Sequence, residues 1–575
     1  MGVNGPSVAR VSGPIVEVDG LLEARLLDLV ELGPSRLVGE VISLRGDLAV
    51  VQAHEYTGGL EPGASAWLGG GPLVAELGPG LLGGVFDGML RRLDGLGERL
   101  GPGTRAPTLP PDRRWRFTPR VRAGEKVVGG AVLGTVPESA AIEARVLAPP
   151  QLMGTVDWVA AEGDYTVREP IAAIAGTEVR LAQTWPLRRP RPSGMRIEAS
   201  VPLATGQRAL DLLFPVARGS TAAVPGGFGT GKTVLLQQIA KWCDADVIVY
   251  VSCGERGNEL ADVLEEISTL EDPRTGRSLL DRTVLIANTS NMPLMAREVS
   301  VYAGATVAEM YRDMGYDALV IADSTSRWAE ALREIASRTG ELPAEEGYPA
   351  SLAPTLASFY ERAGRVQTLS GGVGSVTILG AVSPPGGDMA EPVTAHTTRF
   401  VRTVWSLDRD LAYARHYPAV SWTASSSRDA APVARWHASK ADPGWGERRA
   451  RAVGLLSEAD RIQAVAELVG ASSLPDRERV LLLTGRLLRE AVLQQSALGD
   501  NDAWSAPAKQ AALLGMVLDL HDRALDLVRR GVPAVRIEEL DLSDAARARD
   551  RVGPDDADGV EAIRNELLAR METLG

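Results

Sequence analysis

Eight consecutive residues, 226–233, constrain the fold of this chain more than any other feature. They fit the phosphate-binding pattern G-x-x-x-x-G-K-[ST] without a mismatch. The apolar run 221–224 before them is typical of a buried strand, and the amphipathic run 234–242 after them is typical of a helix, a context that an accidental glycine-rich turn does not explain. The residues of this phosphate loop are Gly226, Gly227, Phe228, Gly229, Thr230, Gly231, Lys232 and Thr233.

Each part of the phosphate loop has a role in binding a nucleoside triphosphate. Glycines allow backbone N–H groups to turn toward phosphate oxygens, and the N-terminus of the following helix adds a favourable dipole. We expect Lys232 to reach the β- and γ-phosphates and the Thr233 hydroxyl to bind Mg²⁺.

Length and charge limit the class of protein. A chain of 575 residues is too long for one core and indicates roughly three to four domains. The net charge of −13, from 61 basic and 74 acidic side chains, argues against a general nucleic-acid-binding protein, which would carry a basic surface. We therefore expect no nucleic-acid partner.

Cysteine usage and hydropathy indicate a cytosolic chain. Cys243 and Cys253 are the only cysteines, too few for a disulfide framework, and we expect Cys253 to be buried and inert. The five histidines show no metal-ligand spacing, and no apolar stretch is long enough to cross a membrane. If the chain serves membrane transport, other subunits must provide the path through the membrane.

Changes in residue pattern along the chain predict five segments. Short β-rich runs separated by turn residues (9–12, 15–18, 37–43 and 48–52) predict a small barrel, and a second set (126–128, 131–136, 144–147, 154–158 and 166–168) predicts another β-rich domain. The proline- and arginine-rich residues 185–192 are interpreted as the linker that closes it. The predicted segments are an N-terminal β-barrel at 1–75, a connecting segment at 76–114, a β-rich inserted domain at 115–189, a nucleotide-binding domain at 190–430 and a helical domain at 431–575.

The last two segments differ in secondary structure. Apolar strands that alternate with helices predict a parallel sheet covered on both faces. Beyond residue 430 the strands stop, and Pro507 suits a helix start. The predicted strands are 246–251, 283–287, 318–322 and 375–379, and the predicted C-terminal helices are 455–468, 476–493 and 508–530, with one or two more in 543–575.

Asp323 is the candidate Mg²⁺-side carboxylate. It follows the strand 318–322, at the sheet edge where a phosphate loop also lies. A carboxylate near Mg²⁺ is required in nucleoside triphosphatases. The alternative is a structural role in capping the next helix at residues 324–326.

Glu255 is the candidate general base. It follows the strand 246–251 by four residues, which also places it at the ligand edge. A carboxylate there could take a proton from a water in line with the γ-phosphate, and Arg256 could contact that phosphate as charge develops. The alternative is that Glu255 and Glu259 simply favour a helix N-terminus.

Long motifs throughout the chain resemble one family. They include GERGNE at 254–259, ANTSNMP at 287–293, ADSTSRWAEALRE at 322–334 and VSPPGGD at 382–388. Together with the phosphate loop, they are similar to the catalytic A subunit of rotary V/A-type ATPases. Further similar motifs, which extend the resemblance over nearly the whole chain, are LGPGLL at 77–82, FDG at 86–88, WRFTP at 115–119, WPLRRPRP at 185–192 and LQQ at 493–495.

The resemblance implies roles for individual residues. Glu255 matches the general base, Arg256 the neighbouring arginine and Asp323 the aspartate near Mg²⁺. Tyr417 matches the aromatic side chain that stacks on adenine. Leu498 departs from the family, which commonly has an aromatic residue there, and residues 425–428 replace a more usual tyrosine-containing stretch.

The resemblance also implies fold and function. The fold would be multidomain α/β: a small β-barrel, a β-rich inserted domain, a central RecA-like P-loop sheet and a C-terminal helical bundle. The chain would synthesise or hydrolyse ATP, with Mg²⁺, at interfaces with B subunits in an alternating A₃B₃ ring. Central and peripheral stalks would couple it to a membrane rotor that transports H⁺ or Na⁺, so the chain would be cytoplasmic and peripheral on the inner face of the cell membrane.

Two alternative functions fit the residues less well. A non-catalytic nucleotide-binding subunit of the same ring would usually lack part of the set Lys232, Thr233, Glu255 and Asp323, which is intact here. An RNA translocase or export-apparatus ATPase with a similar core is disfavoured by the acidic balance and by the inserted domain at 115–189.

Overall fold

The computed structural model describes residues 5–93, 106–272, 275–290 and 292–574. Residues 94–105 of the predicted connecting segment and Asn291 of the motif at 287–293 lie outside the described residues. The chain divides into two compact units. The first contains Met1–Glu198, Ala245–Val382 and Ala390–Phe400, and the second contains Ala199–Asp244, Ser383–Met389 and Val401–Gly575.

The predicted N-terminal barrel is present in the first unit. Six antiparallel strands run in the order first, second, fifth, fourth, third and sixth around an apolar core. Hydrogen bonds from Val8 N to Ala64 O (2.8 Å) and from Ala66 N to Pro6 O (2.9 Å) join the ends of the sheet and close the barrel. The strands are Ser7–Ser12, Ile15–Asp19, Asp28–Leu32, Leu37–Arg45, Leu48–Ala53 and Ala66–Pro72.

Two barrel strands were absent from the predicted set. The strand Ala66–Pro72 contains three consecutive glycines, which have weak β-propensity, and it is held instead by pairing with Asp28–Leu32. Tertiary pairing therefore overrides the local sequence signal at this position.

The inserted β-rich domain consists of two four-stranded antiparallel sheets. The strand predicted at 166–168 is wrong: these residues form a turn in which Thr166 N donates to the Glu169 carboxylate at 2.6 Å, and the strand Gly163–Tyr165 precedes it. One sheet contains Lys126–Val127, Gly154–Val159, Pro170–Ile174 and Thr177–Arg180, and the other contains Glu143–Leu147, Val132–Pro137, Trp115–Pro119 and Gly163–Tyr165.

Residues 185–192, interpreted from sequence as a linker, are firmly anchored. The strand Gln183–Pro186 pairs with Val74–Leu77. Arg188 binds Glu298 at 2.6 Å and Glu40 at 2.9 Å. The arginines of this segment therefore anchor it to neighbouring elements of the first unit, a role that composition alone did not distinguish from a solvated linker.

The central part of the first unit contains the predicted parallel sheet. Its strands carry almost continuous apolar runs, as expected for strands covered on both faces. In spatial order the parallel strands are Val373–Val382, Asp317–Asp323, Val247–Glu255, Thr283–Thr289 and Val85–Phe86, and Gly364–Gln367 and Arg196–Ile197 extend it in antiparallel pairing. The helices of this unit are Gly257–Thr269, Leu294–Asp313, Thr325–Thr339, Leu352–Tyr360 and Pro392–Phe400.

The second unit contains the strand and helix that flank the phosphate loop, followed by the helical end of the chain. The strand Thr221–Pro225 is parallel to Thr403–Val404, which pairs in antiparallel fashion with Ser426–Ser427. Pro507 opens a long helix, as predicted. The helices are Lys232–Trp242, Arg409–Tyr413, Ala430–Lys440, Trp445–Val469, Asp476–Leu487, Pro507–Arg529, Ala534–Glu538, Ser543–Arg551 and Ala557–Glu572, with π-helical turns at Ala209–Leu213 and Leu488–Leu493.

Among the helices that the structure describes, none combines the length and the apolar character needed to span a lipid bilayer.

Candidate functional site

The phosphate loop lies between the buried strand Thr221–Pro225 and the helix Lys232–Trp242. Gly229 (φ 79°) and Gly231 (φ 85°) adopt left-handed backbone conformations that favour glycine. A Cβ atom on Gly226 would lie 2.8 Å from Leu407 Cβ, so a larger residue there would displace its neighbour. The loop conformation therefore depends on at least three of its glycines.

Polar side chains of the loop bind its own backbone. Lys232 Nζ donates to the carbonyl oxygens of Gly226 (2.6 Å) and Gly227 (3.0 Å), and the buried Thr230 hydroxyl donates to Gly227 at 2.8 Å. Thr233 is half-buried in the first turn of the helix, whereas the Phe228 side chain is 91% exposed. The lysine ammonium is thus held against the loop.

Tyr417 lies next to the phosphate loop in the second unit. A Cβ atom on Gly231 would be 3.7 Å from Tyr417 Cε1, and the tyrosine side chain is 43% exposed. Gln495 N donates to the Tyr417 carbonyl at 2.7 Å, and the Gln495 amide binds the backbones of Gly206 and Arg208. Leu498 is 96% exposed and adds no apolar packing here.

Glu255 and Asp323 are both the last residues of parallel strands in the first unit. Their strands are neighbours, with Ser252 opposite Asp323 in the register. The strand that carries Glu255 runs to that residue, rather than ending four residues before it as predicted from the sequence. Since the strands are parallel, both carboxylates lie at the same edge of the sheet.

The surroundings of Glu255 raise its pKa to about 7. The largest cause is burial, followed by the negative charge of Asp323 and a hydrogen-bonding contact with Glu259, while the Arg327 guanidinium acts in the opposite direction. A carboxylate with a pKa near the working pH is suited to accept a proton and release it again. Arg327, in the helix Thr325–Thr339, was absent from the residues singled out in the sequence.

Asp323 is buried and accepts a hydrogen bond from the Tyr250 hydroxyl at 3.0 Å. The capping alternative placed residues 324–326 at a helix start, and the helix does begin at Thr325. However, the Ser324 side chain makes no capping hydrogen bond to that helix.

Arg256 is exposed at the N-terminus of the helix Gly257–Thr269, with Glu259 in its first turn. The helix-start interpretation therefore describes Glu259 correctly. Glu255 precedes that helix and belongs to the strand, so helix capping does not account for its position.

Each unit contains an oxygen donor of the kind that Mg²⁺ prefers. Across the described part of the chain, no three histidine, cysteine, aspartate or glutamate side chains cluster as they would around a metal ion. Mg²⁺ needs only one or two protein ligands when nucleotide phosphates and water complete its coordination. The Asp323 carboxylate offers oxygen in the first unit, and the Thr233 hydroxyl offers oxygen in the second. The hydroxyls of Ser252 and Ser324, on either side of Asp323, are buried without a hydrogen-bond partner, so this edge of the sheet is polar.

Comparison with protein-family models identifies four consecutive domains. The four domain types are those of the predicted fold class, which is confirmed. The predicted domain boundaries stay predictions. The matches are the ATP synthase alpha/beta family beta-barrel domain at 8–66, the ATP synthase alpha/beta subunit barrel-sandwich domain at 106–188, the ATP synthase alpha/beta family nucleotide-binding domain at 206–427 and the C-terminal domain of V and A type ATP synthase at 434–536.

Similar proteins span the whole chain. The A subunit of the A-type ATP synthase of Thermococcus kodakarensis is 47% identical, over 99% of this chain and 98% of that protein. Its counterpart from Saccharolobus solfataricus is 45% identical over the same shares. Among solved structures, the assembled ATPase EscN from the enteropathogenic E. coli type III secretion system has a TM-score of 0.64 at 22% identity, covering 89% of this chain and 99% of that one, which shows the fold alone.

Proposed function

Because this chain belongs to the family of A-type ATP synthase A subunits, the catalytic subunits of rotary ATP synthases, we propose that its phosphate loop, Glu255 and Asp323 act on one nucleotide. The observation that carries the proposal is the raised pKa of Glu255, about 7, at the sheet edge that also holds Asp323. An ordinary exposed glutamate would be a much weaker base at neutral pH.

The phosphate loop would bind the triphosphate. Its backbone N–H groups and the N-terminus of the helix Lys232–Trp242 would bind phosphate oxygens, and Lys232 would exchange its present carbonyl partners for the β- and γ-phosphates. Tyr417 would stack on the adenine ring, since it lies beside the loop and exposes part of its side chain.

Glu255 would act on the attacking water. In hydrolysis its carboxylate would take a proton from the water as the oxygen approaches the γ-phosphorus, and in synthesis the protonated carboxyl would return it. The positive charge of Arg256 would stabilise the charge that develops on the γ-phosphate. Arg327 would keep part of the Glu255 population ionised, because its guanidinium lowers the pKa of that carboxyl.

Mg²⁺ would be held by the Thr233 hydroxyl and, on the carboxylate side, by Asp323. When bound, the ion would neutralise phosphate charge and orient the phosphates for in-line attack. The chain's own contribution is to present two oxygen donors and to keep the Asp323 carboxylate buried and oriented.

Membership of this family makes the chain one component of a multi-subunit complex. We propose that it alternates with B subunits in an A₃B₃ ring, that stalk subunits couple the ring to a membrane rotor, and that the chain is thereby held at the inner face of the cell membrane. The exchanged ion would be H⁺ or Na⁺, selected by the rotor.

The test is Glu255→Gln in the assembled complex. We expect ATP turnover to fall by roughly 1000-fold or more, since a general base contributes about 100- to 10,000-fold. Nucleotide affinity should change by less than about 3-fold, because the uncharged amide keeps the shape of the side chain. Glu265→Gln, on the exposed face of the helix Gly257–Thr269, is the matched control and should leave both quantities unchanged.

Two outcomes would contradict the proposal. If the Glu255→Gln variant turned over ATP at the normal rate, Glu255 would not be the base. If the unmodified complex bound ATP on this chain without turnover there, the non-catalytic alternative would replace the catalytic one.

A further inference from the structure

Tyr250 is a buried tyrosine in the middle of the strand Val247–Glu255, only 2% exposed. In the register of the sheet it lies opposite Ile321, two residues before Asp323 on the neighbouring strand. Residues at this diagonal spacing are within reach of a long side chain. The Tyr250 hydroxyl donates a hydrogen bond to Asp323 Oδ2 at 3.0 Å.

Both partners of this hydrogen bond are buried: Tyr250 is 2% exposed and Asp323 is 4% exposed. A hydroxyl that donates to a carboxylate forms one of the stronger hydrogen bonds in proteins. One oxygen of the Asp323 carboxylate therefore has a fixed partner, which restricts rotation of the group.

We propose that Tyr250 is a positioning residue that orients the Asp323 carboxylate toward the divalent cation of the nucleotide. The inference rests on the proposed function, in which Asp323 is the carboxylate on the Mg²⁺ side. Partners that hydrogen-bond a metal-binding carboxylate commonly set its direction, and their loss costs metal affinity without removing a ligand. Tyr250 would touch neither the cation nor the nucleotide.

The competing view is that Tyr250 only fills the core and that its hydroxyl takes the nearest acceptor. Both views predict some loss of stability when the hydroxyl is removed, because a buried carboxylate loses a donor. They differ in metal dependence: only a positioning role couples the hydroxyl to Mg²⁺.

Tyr250→Phe in the assembled complex tests the proposal, and Tyr311→Phe is its matched control. The Tyr311 hydroxyl is also buried and also binds a buried carboxylate, Glu138, at 3.1 and 3.2 Å. It lies near the C-terminal end of the helix Leu294–Asp313. Each variant removes one phenol–carboxylate hydrogen bond of the same kind.

The readout is the Kd of a fluorescent ADP analogue, measured once with excess Mg²⁺ and once with EDTA. For Tyr250→Phe we expect the Kd with Mg²⁺ to rise roughly 10-fold, the lower end of the range for residues that hold metal ligands. The Kd with EDTA should stay within about 2-fold of the unmodified complex, since nucleotide contacts are unchanged. The Mg²⁺ concentration for half-maximal turnover should rise in parallel, and Tyr311→Phe should leave all three values unchanged.

Asp323→Asn separates failure of this inference from failure of the proposed function. If that variant loses the Mg²⁺-dependent part of ADP binding while Tyr250→Phe matches Tyr311→Phe, the inference is overturned and the role of Asp323 stands. If Asp323→Asn keeps normal Mg²⁺ dependence, Asp323 does not serve the cation and both proposals are overturned.

Discussion

The phosphate loop and the carboxylate edge of the sheet are built in different ways. The loop comes from one run of eight residues and depends on glycine backbone geometry, with its lysine bound to loop carbonyls. The carboxylates come from the ends of two strands that are distant in sequence and adjacent in the sheet. Their chemistry depends on burial and on neighbouring charges, which raise the pKa of Glu255.

Because of this difference, nucleotide binding and proton transfer depend on different physical properties of the chain. Backbone N–H groups bind phosphate at any ordinary pH, because they do not gain or lose a proton. A carboxylate that must take up and release a proton needs an environment that moves its pKa. Changes to the loop should therefore act on affinity, and changes around Glu255 should act on rate and pH dependence.

The largest effect on nucleotide affinity is expected at the phosphate loop. Lys232→Ala should weaken ATP binding by roughly 100-fold, because a charged contact to phosphate is among the strongest single hydrogen bonds. Equilibrium binding of ATP to the assembled complex measures it, with Lys241→Ala at the other end of the same helix as the control. Binding that survived the Lys232 change would mean that the loop backbone alone provides the affinity.

A smaller effect is expected beside the loop. Tyr417→Ala should raise the Kd for ATP about 10-fold, since stacking of a base on an aromatic ring is worth roughly 1–3 kcal/mol. Tyr417→Phe keeps the ring and should stay close to the unmodified protein, and Tyr413→Ala replaces a nearby tyrosine that is 76% exposed. Equal losses for Tyr417→Ala and Tyr413→Ala would remove Tyr417 from the nucleotide site.

The carboxylate edge of the sheet should determine how kcat/KM depends on pH. As the proposed general base, Glu255 must be ionised to accept a proton, so kcat/KM should rise with pH through about 7 and then level off. Glu259→Gln removes a group that raises the pKa of Glu255, so this rise should move to lower pH. A shift to higher pH, or an equal shift in Glu265→Gln, would show that another group controls the profile.

The smallest effect concerns stability. The pKa of Glu255 is about 7 in the fold and 4.5 as its ordinary value, so the folded state binds more protons between these values and loses stability as pH rises through that window. Glu255→Gln should therefore raise the unfolding temperature by about 2 °C at pH 8, where the carboxylate is charged, after allowance for its partial exposure. The gain should vanish near pH 4.5. A thermal scan at the two pH values checks it, and a gain that was larger in acid would contradict the assignment.

The sequence predicted features that depend on local residue patterns, and it did not predict those that depend on contacts between distant residues. The phosphate loop is local, so its pattern predicted the flanking strand and helix closely. The placement of Glu255 and Asp323 at one edge of the sheet was also predictable, because parallel strands end at the same edge. The strand of Glu255 nevertheless ends four residues later than predicted. The barrel, the inserted β-rich domain and the helical end of the chain followed from changes in residue periodicity, which report local structure.

Pairing across strands was not predictable in this way. Tyr250 lies in an apolar run that is typical of a core strand, and only the register shows that its hydroxyl reaches Asp323. Arg327 acts on Glu255 from a helix whose position depends on the sheet order. The arginines of residues 185–192 were interpreted as part of a linker, because their carboxylate partners, among them Glu40 and Glu298, lie far away in sequence.

Closure of the N-terminal barrel affects how other proteins can attach to it. The backbone bonds near Val8 and Ala66 join the first and sixth strands at one end of the sheet, so part of each edge strand is already paired. An incoming chain therefore finds a shorter row of unpaired amides to extend, which narrows a common route to aggregation. A partner that binds this domain would therefore contact mainly its turns and its outward-facing side chains. Those residues can change during evolution without disturbing the strands of the barrel.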